Sequence, residues 1–253
     1  MKSCRLKGHQ KNKTMKKIIL LTLTFTLVSL SNSAAQNTQQ FFDDANAFFK
    51  TYVSNGRVDY KAIKNNPESL HKLMTQAEAI KVSTSNVAEY QAFWINAYNI
   101  SVIKGIVAKY PVKGPLSIKG FFDKTTYSLG GTKTTLNDLE NKLLRAKFPK
   151  EARFHFALVC AGLGCPPIIN EAYTPAKLEA QLQRQTTIAL NNPNFIKVKG
   201  KKVQLSKIFE WYKVDFTHDG SEIAYINQFR KEPINEKARV SYYEYDWTLN
   251  AKK

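Results

Sequence analysis

Cysteine is scarce in this chain, with three in 253 residues, and one of them, Cys4, lies in the N-terminal leader described below. The other two, Cys160 and Cys165, with the one well-placed histidine, His155, make three ligands where a structural zinc site usually has four. No metal and no cofactor are expected. Acidic residues are few as well: 20 Asp and Glu stand against 38 Lys and Arg, for a net charge of +18. The excess is mostly lysine, scattered over the sequence. Without a basic helix or an aromatic–basic platform, nucleic acid is excluded as a partner. The uncharged apolar run Ile18–Leu30 is shorter than the ~20 residues that a membrane span needs. Internal repeats and low-complexity linkers are also missing, which leaves a single domain as the expectation.

What is present begins with a leader. Met15-Lys16-Lys17 precedes that apolar run, and Ser33-Ala34-Ala35 supplies small residues before Gln36. This order of charge, apolar core and small residues predicts a cleaved signal peptide over residues 1–35, the first 14 of them an upstream extension. No cysteine stands at the cleavage point, so no lipid anchor is expected. A periplasmic or extracellular protein follows, touching membrane only through the uncleaved leader. Removing the leader's seven Lys and Arg lowers the net charge from +18 to +11. Residues 36–253 form the expected globular domain.

Along that domain, the spacing predicts a helix over 41–53 closed by Asn55-Gly56, and a second over 67–80 with His71 on its surface. Asn86–Tyr110 is apolar all round, which predicts a central buried helix. Its amides Asn96 and Asn99 then need partners or a polar cavity, because a buried amide without one costs about 1–3 kcal/mol. Gly130-Gly131 and Gly200 mark two hairpins. Thr135, Thr174, Ser206 and Ser221 mark helix starts, and 240–247 reads as a last strand. Glu140 falls on the margin of an apolar helical stripe, where Lys147 or Arg145 is its ordinary partner. The fold class is α+β, mainly helices around a small, mostly antiparallel sheet with hairpins.

The stretch that draws attention is RFHFALVCAGLGCPPI, from Arg153 to Ile168. Phe154–Val159 reads as a buried strand carrying His155, and the Gly- and Pro-rich loop behind it carries both remaining cysteines. In an oxidising compartment so close a pair is first a disulfide candidate, Cys160–Cys165.

FWINAYN at 93–99, HFALVC at 155–160, LNDLE at 136–140 and CPP at 165–167, together with LSKIFEWY at 205–212 and YDWTLN at 245–250, resemble the domain-of-unknown-function 547 family. The resemblance runs from about Phe41 to Asn250. It implies a single-domain bacterial protein, often exported, from a family without an assigned activity. The family usually has a histidine after the Glu140 position, where this chain has Asn141.

Two functional expectations follow. One is a binding or structural module, in which Trp94, Asn96, Tyr98, Asn99 and His155 line a pocket for a small or carbohydrate-like ligand beside a disulfide-closed loop. The other is a cysteine-dependent hydrolase or transferase. Cys165, or Cys160, would be its nucleophile, His155 its base, and Glu140 or Asn96 the group orienting that base. On a strand, Cys160 and His155 would face opposite ways, which favours Cys165.

Overall fold

The computed structural model describes residues 36–253, so the predicted leader and Cys4 lie outside the described residues. The chain divides into two units, 1–40 and 41–253; the described part of the first, 36–40, is helical. Everything below concerns the second.

In this unit helix α1 covers residues 41–52. Asn55-Gly56 does not close it but turns a minimal hairpin, β1 (Val53–Ser54) against β2 (Arg57–Val58). Both turn residues have positive φ, 50° and 72°, as a two-residue hairpin turn of the mirror-image type demands. Helices α2 (Tyr60–Asn65) and α3 (Glu68–Ala79) follow, with His71 exposed on the latter. The long helix α4 (Val87–Lys109) starts where the Asn86 side chain accepts the Glu89 N–H, and it is buried continuously from Tyr90 to Ile103. With no polar face to offer water, it becomes the axis of the larger core.

The hairpin β3 (Thr126–Leu129) and β4 (Thr132–Thr135) leads into a single α-helical turn, α5 (Leu136–Asp138), capped by the Thr135 hydroxyl. The helix then widens into a π-helix over Leu139–Arg145. This register buries Leu139 and Leu144, five residues apart, and puts Glu140 and Arg145, also five apart, along another side. Adjacent Leu143 and Leu144 satisfy either period, so the sequence pattern does not distinguish the two helix types.

The expected strand over 154–159 is not one. Ala152–Phe156 is a 3-10 helix whose first turn is capped by Glu151, and the chain from Ala157 runs irregularly into the cysteine loop. A short apolar run buried on all sides carries no period to separate strand from helix, and here the segment is wedged between two cores. Phe154 belongs to the larger core and Phe156 to the smaller.

The smaller core lies between α6 (Leu178–Asn191), the three-stranded sheet β5 (Ile196–Lys199), β6 (Lys202–Ser206) and β7 (Arg239–Tyr243), and the short helices α7 (Lys207–Trp211), α8 (Lys213–Phe216) and α9 (Glu222–Asn227). β5 and β6 form the expected hairpin about Gly200, whereas β7 adds parallel to β6. The α+β class stands. The strands are divided among three small sheets, antiparallel except for the β6–β7 pair.

The last residues run back across the molecule and tie both regions together. Leu163 N–H donates to Thr248, Gly164 N–H to Asp246, and Asn250 N–H to Ala161. On its other side this segment meets β2, where Val58 N–H donates to the Asn250 carbonyl, and the Tyr60 hydroxyl donates to the Asn250 side chain.

Candidate functional site

The cysteine loop sits where the two cores meet, with Cys165 packed against both. Three features set its shape. Ala161 takes φ +65°, a left-handed conformation that costs a residue with a Cβ about 1–2 kcal/mol. The returning tail holds the backbone of 161–164 through the bonds just described. Gly164 leaves room for the Tyr245 ring, since a Cβ there would meet three ring atoms at 2.9 Å.

Both cysteines are free thiols, so the expected disulfide is not formed. They converge on one hydroxyl instead: Tyr245 Oη lies 3.0 Å from Cys160 Sγ and 2.9 Å from Cys165 Sγ. Cys165 Sγ also accepts the Cys160 backbone N–H at 3.0 Å. Burial opposes ionisation of either thiol. At Cys160 that is outweighed by hydrogen bonds from the Cys165 thiol, the Tyr245 hydroxyl and the Gly162 amide, and its pKa falls below the ordinary thiol value although Glu140 pushes it upward. Cys165, buried and beside Cys160, is pushed well up. Of the two, Cys160 is the sulfur prepared to carry charge. Because 154–159 is not a strand, the objection that Cys160 and His155 must face apart lapses.

These sulfurs line a cavity of about 240 Å³. Tyr98 from α4, Glu140 and Asn137 from the α5–π segment, and His155 from the 3-10 helix share it. Phe122, Trp211, Tyr212, Tyr245 and Trp247 supply most of an aromatic wall. Trp211 and Trp247 stack with centroids 5.9 Å apart, and Tyr245 lies 4.6 Å from Trp247.

His155 is held rigidly. Its Nε2 is 2.7 Å from Asp215 Oδ2, and its side chain is only 3% exposed. A carboxylate can only accept, so Nε2 carries the hydrogen and Nδ1 is left as the other ring nitrogen. The ring lies against Tyr212, centroids 4.1 Å apart, and Phe216. Asp215 is gripped from its other side by a fork from Arg145, Nε at 2.6 Å and Nη2 at 2.9 Å. Burial raises the Asp215 pKa, but the hydrogen bonds from His155 and Arg145 more than reverse this, and the carboxyl is held well below its usual range. Arg145 also donates to Asn141 and lies 4.7 Å from the Tyr212 ring centroid. Asn141 thus serves Arg145 and does not line the cavity.

The expected partners of Glu140 are engaged elsewhere, Arg145 with Asp215 and Lys147 over the Tyr90 ring at 6.0 Å. Burial first, and then the Glu140 charge, push the Tyr98 and Tyr212 phenols upward, so both remain neutral hydroxyls.

Trp94, Asn96 and Asn99 do not line this cavity. Trp94 lies under the β3–β4 turn, where a Cβ on Gly130 would approach its ring to 2.6 Å. Asn96 clamps Tyr173, donating to its carbonyl at 2.7 Å and accepting its N–H at 3.0 Å. Asn99 does the same for the segment entering the cysteine loop, through the Ala157 carbonyl and the Val159 N–H, both at 2.9 Å. The amides brace backbone because those backbone groups run irregularly and have no ladder to pair with. His218 pairs with Asp219 in an exposed loop.

Sequence reasoning singled out neither Asp215 nor the aromatic wall. Tyr212, Tyr245 and Trp247 stand in the quoted motifs, a signal that something fixed them; Asp215 has no local signal.

Residues 82–188 match the family model described as protein of unknown function, DUF547, a narrower span than the motifs had suggested. The matched segment contains Tyr98, Glu140, His155, Cys160 and Cys165, while Trp211, Tyr212, Asp215, Tyr245 and Trp247 lie beyond it. No curated protein and no solved structure matches the chain.

Proposed function

We propose that this cavity, eight of whose thirteen lining residues lie in the segment that carries the uncharacterised family's pattern, is the active site of a thiol-dependent acyl-transfer enzyme, a hydrolase or transferase with Cys160 as nucleophile. One observation carries the reading: two unbonded sulfurs share the Tyr245 hydroxyl in a pocket also lined by His155, which Asp215 holds from behind. A nucleophilic thiol needs stabilised charge and an oriented base. Cys160 has the first from the Cys165 thiol and the Gly162 amide, with the Tyr245 hydroxyl shared between the two sulfurs, and His155 has the second through Asp215 and Arg145.

In this mechanism His155 Nδ1 takes the Cys160 proton, and the thiolate attacks the carbonyl carbon of an ester, thioester or amide. The developing oxyanion is stabilised by donors at the loop. When the carbonyl re-forms, the bond to the leaving group breaks, and that group takes the proton from His155. Water or an acceptor nucleophile then attacks the thioester, giving its proton to His155, and the Cys160 thiolate leaves. Cys165 stays protonated as a donor to Cys160, which moves the nucleophile from the residue favoured by sequence to its neighbour. The leader fits export to the periplasm or beyond.

Alkylation and acyl trapping test this together. Non-reduced protein pulsed with iodoacetamide near neutral pH should label Cys160 before Cys165. Incubation with p-nitrophenyl acetate should leave one acetyl group on the Cys160 peptide, and none in Cys160→Ser. A Cys160–Cys165 bond in the purified protein, or acetylation that persists in Cys160→Ser, would overturn the assignment. The binding-module alternative is supported by the aromatic wall, and saturable ligand binding without any acylation would favour it.

A further inference from the structure

The cavity has a charge property that the acyl-transfer reading does not use. Among its lining residues there is no Lys or Arg, although the chain has 38 of them against 20 acids. Glu140 lines it with no Lys or Arg at ion-pair distance among the described residues, because Arg145, the cation nearest in sequence along its side of the π-helix, is spent on Asp215. The rings of Tyr98, Phe122 and Trp247 line the same cavity, whereas the Tyr212 ring is already covered by Arg145 and His155. Such faces attract cations through the ring quadrupole. Aromatic faces alone would suit a sugar ring equally. A carboxylate among them that has the Tyr212 hydroxyl as a hydrogen-bond donor but no Lys or Arg at ion-pair distance, in a protein with nearly two cations for each acid, favours positive charge.

We propose that the cavity binds the cationic group of its substrate, a primary or substituted ammonium, between the Glu140 carboxylate and the aromatic wall. This deepens the proposed function by naming a substrate class, and it rests on the same cavity being the site. The bound cation has a second effect. Glu140 opposes charge on Cys160, and an ammonium beside Glu140 removes that opposition, so occupancy favours the thiolate.

The test uses n-butylammonium and its neutral isostere n-butanol, read by tryptophan fluorescence, since Trp211 and Trp247 line the cavity, and by calorimetry. Butylammonium should bind saturably, and at least tenfold more tightly than butanol. Glu140→Gln should abolish that preference while leaving butanol binding and the melting temperature unchanged. Trp247→Leu, which leaves Glu140 in place, should weaken the cation and spare the fold, which keeps the test open if Glu140→Gln misfolds. Equal binding of the two isosteres, an unaltered preference in Glu140→Gln, or tighter binding of methyl glucoside would overturn the inference. Cys160→Ser separates it from the acyl-transfer reading: this variant should bind butylammonium normally. If no acyl-enzyme forms yet the ammonium binds, only the reaction falls. If acylation proceeds without preference for cationic donors, only the substrate class falls.

Discussion

Asp215 is the residue on which the electrostatics of the site converge. Its oxygens take the His155 Nε2–H and the Arg145 fork, and its side chain is 14% exposed. Replacing it with Asn leaves the Arg145 charge half-buried without its counter-ion, and should lower unfolding free energy by about 2–4 kcal/mol. The pH dependence has a definite sign. The folded carboxyl is held below its ordinary value of about 4, so its contribution is fully present above about pH 5 and is lost as pH falls towards the depressed folded value. Urea melts of wild type and Asp215→Asn between pH 7 and pH 3 should therefore converge on acidification. A gap constant over that range would show that the fork does not stabilise the fold.

At the scale of elements, α4 acts on the site in two ways: Tyr98 lines the cavity, and Asn99 braces the segment that enters the cysteine loop. Asn99 satisfies the Ala157 carbonyl and the Val159 N–H, which have no strand partner. Asn99→Ala orphans two buried backbone groups, at about 1–3 kcal/mol each. It should lower stability by about 2–5 kcal/mol and, where the protein still folds, even out the alkylation rates of Cys160 and Cys165. Unchanged melting would mean that water replaces the amide. This element also shows what the sequence made legible. The burial of α4 and the need of Asn96 and Asn99 for partners follow from apolar residues on every side. Which backbone they brace does not, because it depends on a segment 58 to 77 residues away. The Phe154–Val159 segment was misread as a strand for a related reason: burial by two cores erases the alternation that marks a half-buried strand. Glu140, His155, Cys160 and Cys165 stand out by residue type, whereas the aromatic wall reaches the cavity, and Asp215 reaches His155, only through contacts between distant parts of the chain.

At the scale of the whole molecule, the site lies on a seam. Tyr98 and Leu158 approach it from one core, Ile208 and Tyr245 from the other, and the tail stitches across. A chain ending at Glu244 loses Tyr245 and Trp247 from the cavity, along with the carbonyls that Leu163 and Gly164 donate to. Such a truncation should expose both cysteines to rapid, equal alkylation and lower the melting temperature by more than 10 °C, at roughly 2–4 °C per kcal/mol for a chain of this size. Full protection of the thiols in the truncated protein would contradict the stitching role.

That stitch also imposes an order in time. Synthesis runs from the N-terminus, so a growing chain carries Cys160 and Cys165 for some eighty residues before Tyr245 emerges to sit between them. Throughout that interval both sulfurs lack the hydroxyl on which they converge. The hydrogen-bonded surroundings of Cys160 are therefore completed only at the close of the chain's own manufacture.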